Sequence, residues 1–199
     1  MDQIDSYLDI VFDELNVLKG SIDKDALNNA VSLILDSESK GGRVHVTGIG
    51  KPSYVAGYVA SLLSSTGTRS YVLHGTEAVH GSSGQVAPGD VVIAISNSGE
   101  TVELKGTVET LLNNGAKIIA VTRSESSWLA QHANVTLKAG VNQEGDNLNK
   151  PPRASILAEM IVLQVLSVLL QNERKLNSQE YLKWHPGGAL GASIRNEEK

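Results

Sequence analysis

The chain has 199 residues, 41% of them apolar, which suits one compact domain with a real core. A net charge of −5 and a pI near 5.5, with no cluster of lysine and arginine, argue against a nucleic-acid surface. Cysteine is absent, which removes disulfides, thiolate metal sites and a cysteine nucleophile, and fits the reducing cytoplasm.

In chain order, the amino-terminal stretch MDQIDSYLDIVFDEL is acidic and has neither a basic n-region nor an apolar h-region, so no signal peptide is expected. Residues 1–40 read as two helices. In the second, Asp23 is placed as N-cap, and Leu27, Ala30, Val31, Ile34 and Leu35 follow the spacing of one buried face. Arg43–Ile49 reads as a strand ending in Gly48-Ile-Gly50, followed by a helix over Ser53–Ser65 and a second strand over Arg69–Leu73. The run Val91–Ser96 is almost unbroken in apolarity, as a central parallel strand covered on both faces requires. A helix over Thr101–Asn113 stops at Asn114-Gly115. Lys117–Thr122 and Val135–Leu137 complete the strands, with a helical turn at Ser127–His132 between them. The spacing predicts a last long helix over Ala154–Leu170, apolar almost all round and interrupted by Glu159, Gln164 and Ser167. It reads as too short and too polar for a membrane span, and as buried between the sheet and a second subunit. Strand–helix alternation with short connections predicts an α/β fold, a doubly wound parallel sheet in three layers. In such a sheet ligands sit outside the carboxyl ends of the strands.

The candidate chemistry gathers at those ends. Ser96-Asn97-Ser98-Gly99-Glu100-Thr101 leaves a buried strand, turns on glycine and opens a helix, so hydroxyls and free N–H groups converge at a positive helix terminus. A plain N-cap needs one hydroxyl; three in six residues favour an anion site. Gly48-Ile-Gly50-Lys51 is a weaker signal, since a loop lysine is more often solvated, but its place at another carboxyl end suits phosphate or carbonyl contact. Neither a P-loop nor a dinucleotide fingerprint is present. His80 lies just after the second strand, and His185 heads the constrained segment His185-Pro-Gly-Gly-Ala-Leu-Gly191. His45 and His132 read as structural. Glu144 stands in the loop 140–153, too long and polar for a simple connector, and Glu103 lies in the first turn of the helix behind the hydroxyl cluster.

Taken together, Val46-Thr-Gly-Ile-Gly-Lys51, Ser65-Thr-Gly-Thr68, Glu77-Ala-Val-His-Gly81, Val91–Glu100 and His185–Gly191 resemble the arabinose-5-phosphate isomerase branch of the sugar isomerase (SIS) family, in order from about Asp23 to Ile194. The resemblance implies a flavodoxin-like five-stranded parallel sheet and a homo-oligomer, a tetramer, with active sites shared between subunits. It implies a phosphosugar substrate and neither a metal nor an organic cofactor. The family's phosphate loop falls on Ser96, Ser98 and Thr101, with Gly50 and Ser53 as further phosphate contacts. Its active-site residues fall on Lys51, His80, Glu103, Glu144 and His185, each with its residue type kept. The implied reaction is aldose–ketose isomerisation of D-ribulose 5-phosphate and D-arabinose 5-phosphate through a cis-enediol.

For that chemistry Glu144 is the expected base, because Glu103 near a helix N-terminus would have its anion stabilised. His185 is expected to open the ring, with His80 in support, and Lys51 to stabilise charge. Two departures from the family pattern stand out. Where members carry Cys-Pro-Leu-Gly-Leu-Ala-Pro after the loop glutamate, this chain has Gly145-Asp-Asn-Leu-Asn-Lys-Pro-Pro-Arg-Ala-Ser155. The CBS pair that longer members append after the histidine motif is not expected here. A 6-phospho-3-hexulose isomerase and a non-catalytic phosphosugar-binding regulator are the alternative readings. Retention of Glu103, Glu144 and His185 speaks for the enzyme.

Overall fold

The computed structural model describes residues 2–196. Five parallel strands, β1 (Val44–Gly48), β2 (Ser70–Val72), β3 (Val91–Ile95), β4 (Lys117–Thr122) and β5 (Val135–Lys138), form one sheet in the order β2-β1-β3-β4-β5. This is the doubly wound arrangement, and its order reverses between β1 and β3, the point at which such sheets bind their ligands. β1 and β3 are buried at every position, which explains the unbroken apolar run of β3.

The two faces are covered by different helices. Val44, Val46, Val91, Ile93 and Ile95 pack beneath α1 (Gln3–Ser21), α2 (Lys24–Ser39), α3 (Lys51–Ser65) and α6 (Ala154–Glu173). Val92, Ala94, Ile118 and Ala120 pack against α4 (Val102–Asn113) and the short α5 (Trp128–Gln131). Alternation along each strand therefore builds two cores, one on either side of the sheet. Asp23 caps α2 as expected, accepting from the N–H groups of Asp25 and Ala26.

Three segments differ from the sequence expectation. First, α3 begins at Lys51 rather than Ser53, because Pro52 fits the first turn of a helix, where its missing N–H is no loss. Second, α6 runs 20 residues, to Glu173, so it is long and apolar enough to cross a bilayer by length and composition. Half of its most apolar stretch is buried inside the protein, the pattern of a core helix. Third, the tail, assigned no element from the sequence beyond the constrained segment 185–191, forms two helices, α7 (Ser178–Trp184) and α8 (Gly188–Asn196).

Candidate active site

The serine-rich loop follows β3. Ser96 is buried; its hydroxyl accepts from the Gly99 N–H at 3.1 Å and lies 3.1 Å from the Thr101 hydroxyl. Ser96 thus braces the loop from inside, while Ser98 is exposed and its oxygen accepts from the Glu100 N–H. Gly99 has φ 68°, and a Cβ there would lie 2.3 Å from the Ser127 hydroxyl, so both conformation and space demand glycine. Thr101 occupies the N-cap of α4 but makes no capping bond. The first-turn N–H groups of α4 are left without a capping side chain, at the positive end of the helix.

Glu100, which sequence reasoning missed, fixes the outer rim. Its carboxylate accepts from Lys105 at 2.5 Å and from the Trp128 N–H at 2.7 Å, and these bonds hold it below the usual glutamate range, Lys105 foremost. Glu103 is exposed in the first turn of α4 with no partner among the described residues. His80 ends a short 3₁₀ turn (Ala78–His80) that packs on α4, where Val79 reaches the Gly106 position. Across the sheet-order reversal, Gly50 caps α3, Ser53 donates its hydroxyl to the Gly50 carbonyl at 2.6 Å, and Lys51 is exposed beside them. Gly50 and Ser53 also line a crevice of about 260 Å³ at the carboxyl ends of β1 and β2.

Glu144 sits on the long loop after β5, 8% exposed. One carboxylate oxygen, Oε2, accepts from the N–H groups of Arg153 (2.7 Å) and Ser155 (3.1 Å) at the start of α6. Oε1 is left without a protein donor among the described residues. Each of the two carboxylates, Glu103 and Glu144, thus stands at the N-terminus of a helix, so a helix terminus does not set Glu103 below Glu144 as a base. One turn into α6, Glu159 is fully buried, and neither of its oxygens has a hydrogen-bond partner. Burial, with the nearby Glu144 charge adding to it, pushes its carboxyl up to about 8.

His185 is placed elsewhere. It caps α7 and stacks on Tyr181 with ring centroids 4.9 Å apart. The preceding Trp184 packs on Gly67 and shares a crevice with Arg69 and Tyr71, beside the amino end of β2. That is the edge of the sheet opposite the serine loop, roughly 15 Å away along a five-residue strand. Within one chain, then, Ser98, Thr101, Glu103, His80, Lys51, Gly50, Ser53 and Glu144 share the carboxyl edge of the sheet, and His185 does not. His45 lies buried at the amino edge, 3.2 Å from Asp90, and His132 stacks on Trp128. Burial above all holds His45 below the usual histidine value.

Comparison with known proteins agrees with this architecture. The SIS domain family matches residues 38–169. The arabinose 5-phosphate isomerase KdsD of Francisella tularensis is 35% identical over 180 residues, covering 90% of this chain and 55% of the relative. The protein of that name from Pseudomonas aeruginosa is also 35% identical, over 87% of this chain and 56% of its own length. The chain thus spans just over half the length of the curated relatives it matches. An Escherichia coli CFT073 protein solved in complex with arabinose 5-phosphate superposes with a TM-score of 0.81 at 33% identity, covering 92% of this chain and 94% of that one. The chain belongs to the SIS domain family and is homologous, over most of its length, to the arabinose 5-phosphate isomerases.

Proposed function

We propose that the chain is an aldose–ketose isomerase acting on a pentose phosphate, with D-arabinose 5-phosphate and D-ribulose 5-phosphate as its pair. The observation that carries this reading is the uncapped N-terminus of α4, faced by the Ser98 and Thr101 hydroxyls and flanked on the same sheet edge by Glu103 and Lys51, both without a partner among the described residues. The relatives named for this reaction, and the neighbour solved with arabinose 5-phosphate, give the sugar.

In this reading the phosphate sits on the Ser98–Thr101 turn and the helix terminus, with Gly50 and Ser53 closing the other side. The ring opens, and Glu144 takes the C2 proton of the aldose. The C–H electrons form the C1=C2 bond of an enediolate, and O1 is protonated. Return of a proton to C1, with loss of the O2 proton, gives the ketose. Lys51 stabilises the negative charge as it develops. Ser98→Ala removes a direct charge-assisted bond worth roughly 1.5–3 kcal/mol, so sugar-phosphate affinity should fall about 10–100-fold. Ser96→Ala should act through loop shape. Calorimetry giving equal affinity for sugar and sugar phosphate in the parent would defeat the anion site.

In this reading His185 is supplied by a second copy. We infer a homo-oligomer, a tetramer, in which the tail of one chain brings its histidine to the carboxyl edge of another, with His80 in support. The exposed apolar side chains support this: Ile4, Leu8 and Phe12 on α1 at 65%, 41% and 61%, Tyr54 on α3 at 80%, and Val168 on α6 at 53%. Sedimentation at micromolar concentration should give an oligomer, and a monomer with full turnover would refute shared sites.

No group of three or more metal-ligating side chains occurs among the described residues. Isomerisation should persist after exhaustive chelation; a loss in EDTA restored by one divalent ion would overturn the metal-free mechanism. We place the enzyme in the cytoplasm, working as one SIS unit with α6 as a core helix.

A further inference from the structure

The geometry points to Glu14 as a positioning residue: from α1, the helix farthest from Glu144 in sequence, it holds the backbone that carries the proposed base. This rests on the reading of Glu144 as that base.

Tyr7, Val11, Glu14 and Leu18 follow helical spacing along one face of α1. Val11 and Leu18 are core residues and Tyr7 packs against the core, so one acid interrupts an apolar stripe. Glu14 is only 6% exposed, and no lysine or arginine pairs with it among the described residues. Its two oxygens accept instead from two consecutive N–H groups: Oε2 from Asn142 at 2.9 Å and Oε1 from Gln143 at 3.0 Å. These are the two residues directly before Glu144. A buried carboxylate is costly unless both oxygens are bonded, and here both bonds go to the segment entering the site.

The far side of Glu144 is held as well. Gly145 has φ 96°, and a Cβ there would lie 2.7 Å from the Tyr7 ring, so α1 presses directly on the residue after the base. Asn149 accepts from the Glu144 N–H at 2.6 Å and donates to the Asn142 carbonyl at 3.4 Å, closing the loop on itself. With Oε2 of Glu144 bonded to Arg153 and Ser155, the base is fixed at its main chain by α1 and Asn149 and at its side chain by α6. Loops of this length are usually mobile; this one is pinned where proton transfer needs a position accurate to a fraction of an ångström.

The test is Glu14→Gln, which keeps the shape but turns an amide donor toward one of the two N–H groups. Turnover of D-arabinose 5-phosphate should fall about 10–100-fold in kcat with KM changed less than about threefold, the mark of a displaced base with an intact phosphate site. Amide hydrogen exchange at Asn142 and Gln143 should speed up at least about tenfold, while amides of β3 stay unchanged. Glu38→Gln serves as the control for stability alone, since it breaks the ion pair with Arg174 at the opposite edge of the sheet. A kcat loss in Glu14→Gln no greater than in Glu38→Gln, or a loss appearing entirely in KM, would overturn the proposal. The exchange arm is read independently of turnover. Unchanged rates at Asn142 and Gln143 overturn the clamp, and faster rates support it even in a parent protein that proves inactive, the result that would instead defeat the base assignment.

Discussion

Glu144→Gln is expected to abolish interconversion of the two pentose phosphates while leaving their binding nearly unchanged. A general base contributes typically about 10²–10⁴-fold, and a loss of that size is expected here. The amide retains an oxygen for the Arg153 and Ser155 N–H groups, so the loop should hold its shape; what disappears is a second oxygen able to take a proton. The measurement is deuterium incorporation at C2 of D-arabinose 5-phosphate in heavy water, followed by NMR, which does not depend on detecting the ketose. Exchange in the parent that vanishes in Glu144→Gln supports the assignment. Exchange that persists there but vanishes in Glu103→Gln transfers the role to Glu103, whose carboxylate on α4 is exposed and has no partner among the described residues. A parent that binds the phosphosugar tightly and never exchanges the proton is a binding module, and the isomerase reading falls with it.

The layout of this site was legible in the sequence to an unequal degree. Strands such as Val91–Ile95 and Lys117–Thr122 declare themselves because both faces of a parallel sheet are covered, leaving unbroken apolar runs. The hydroxyl-rich turn before α4 is legible because Ser96, Ser98 and Thr101 are close in sequence and the helix follows directly. What could not be read were relations between distant segments. Glu14 lies 128 residues from the Asn142 amide it accepts from; helical spacing puts it on the buried stripe of α1, unlike the exposed Asp9 and Asp13, but does not say which distant amides it meets. The resemblance groups His185 with Glu144, yet within a single chain its neighbour Trp184 packs on Gly67 at the opposite edge, because α7 docks against the end of α3. The sequence shows Glu103 at one helix terminus and hides that Glu144 stands at another. The start of α6 at Ala154, just past Arg153, brings the second terminus to Glu144.

Glu159 shows the same limit, and it carries the second large effect. In sequence it was an interruption in an apolar helix; in the fold it is fully buried with both oxygens unbonded, and its carboxyl is pushed up to about 8 by burial first and the Glu144 charge second. The unfolded chain releases this proton near 4.5, whereas the folded protein keeps it until about 8. Between those values the native state binds one more proton than the unfolded state, so stability falls as pH rises through the window and levels off above it. At about 1.36 kcal/mol per pH unit, this group alone should remove roughly 3 kcal/mol between pH 5.5 and 9. Glu159→Gln resembles the protonated acid in shape and cannot ionise, so it should lose that dependence. For a chain of this size the difference corresponds to roughly 6–12 °C in Tm: the variant should gain on the parent by that amount as pH goes from 5.5 to 9. Comparing the change across pH, rather than the two Tm values at one pH, cancels the common cost of leaving polar atoms unbonded in the core. Parallel Tm–pH curves for parent and variant would mean that Glu159 is ionised in the folded protein across the whole range.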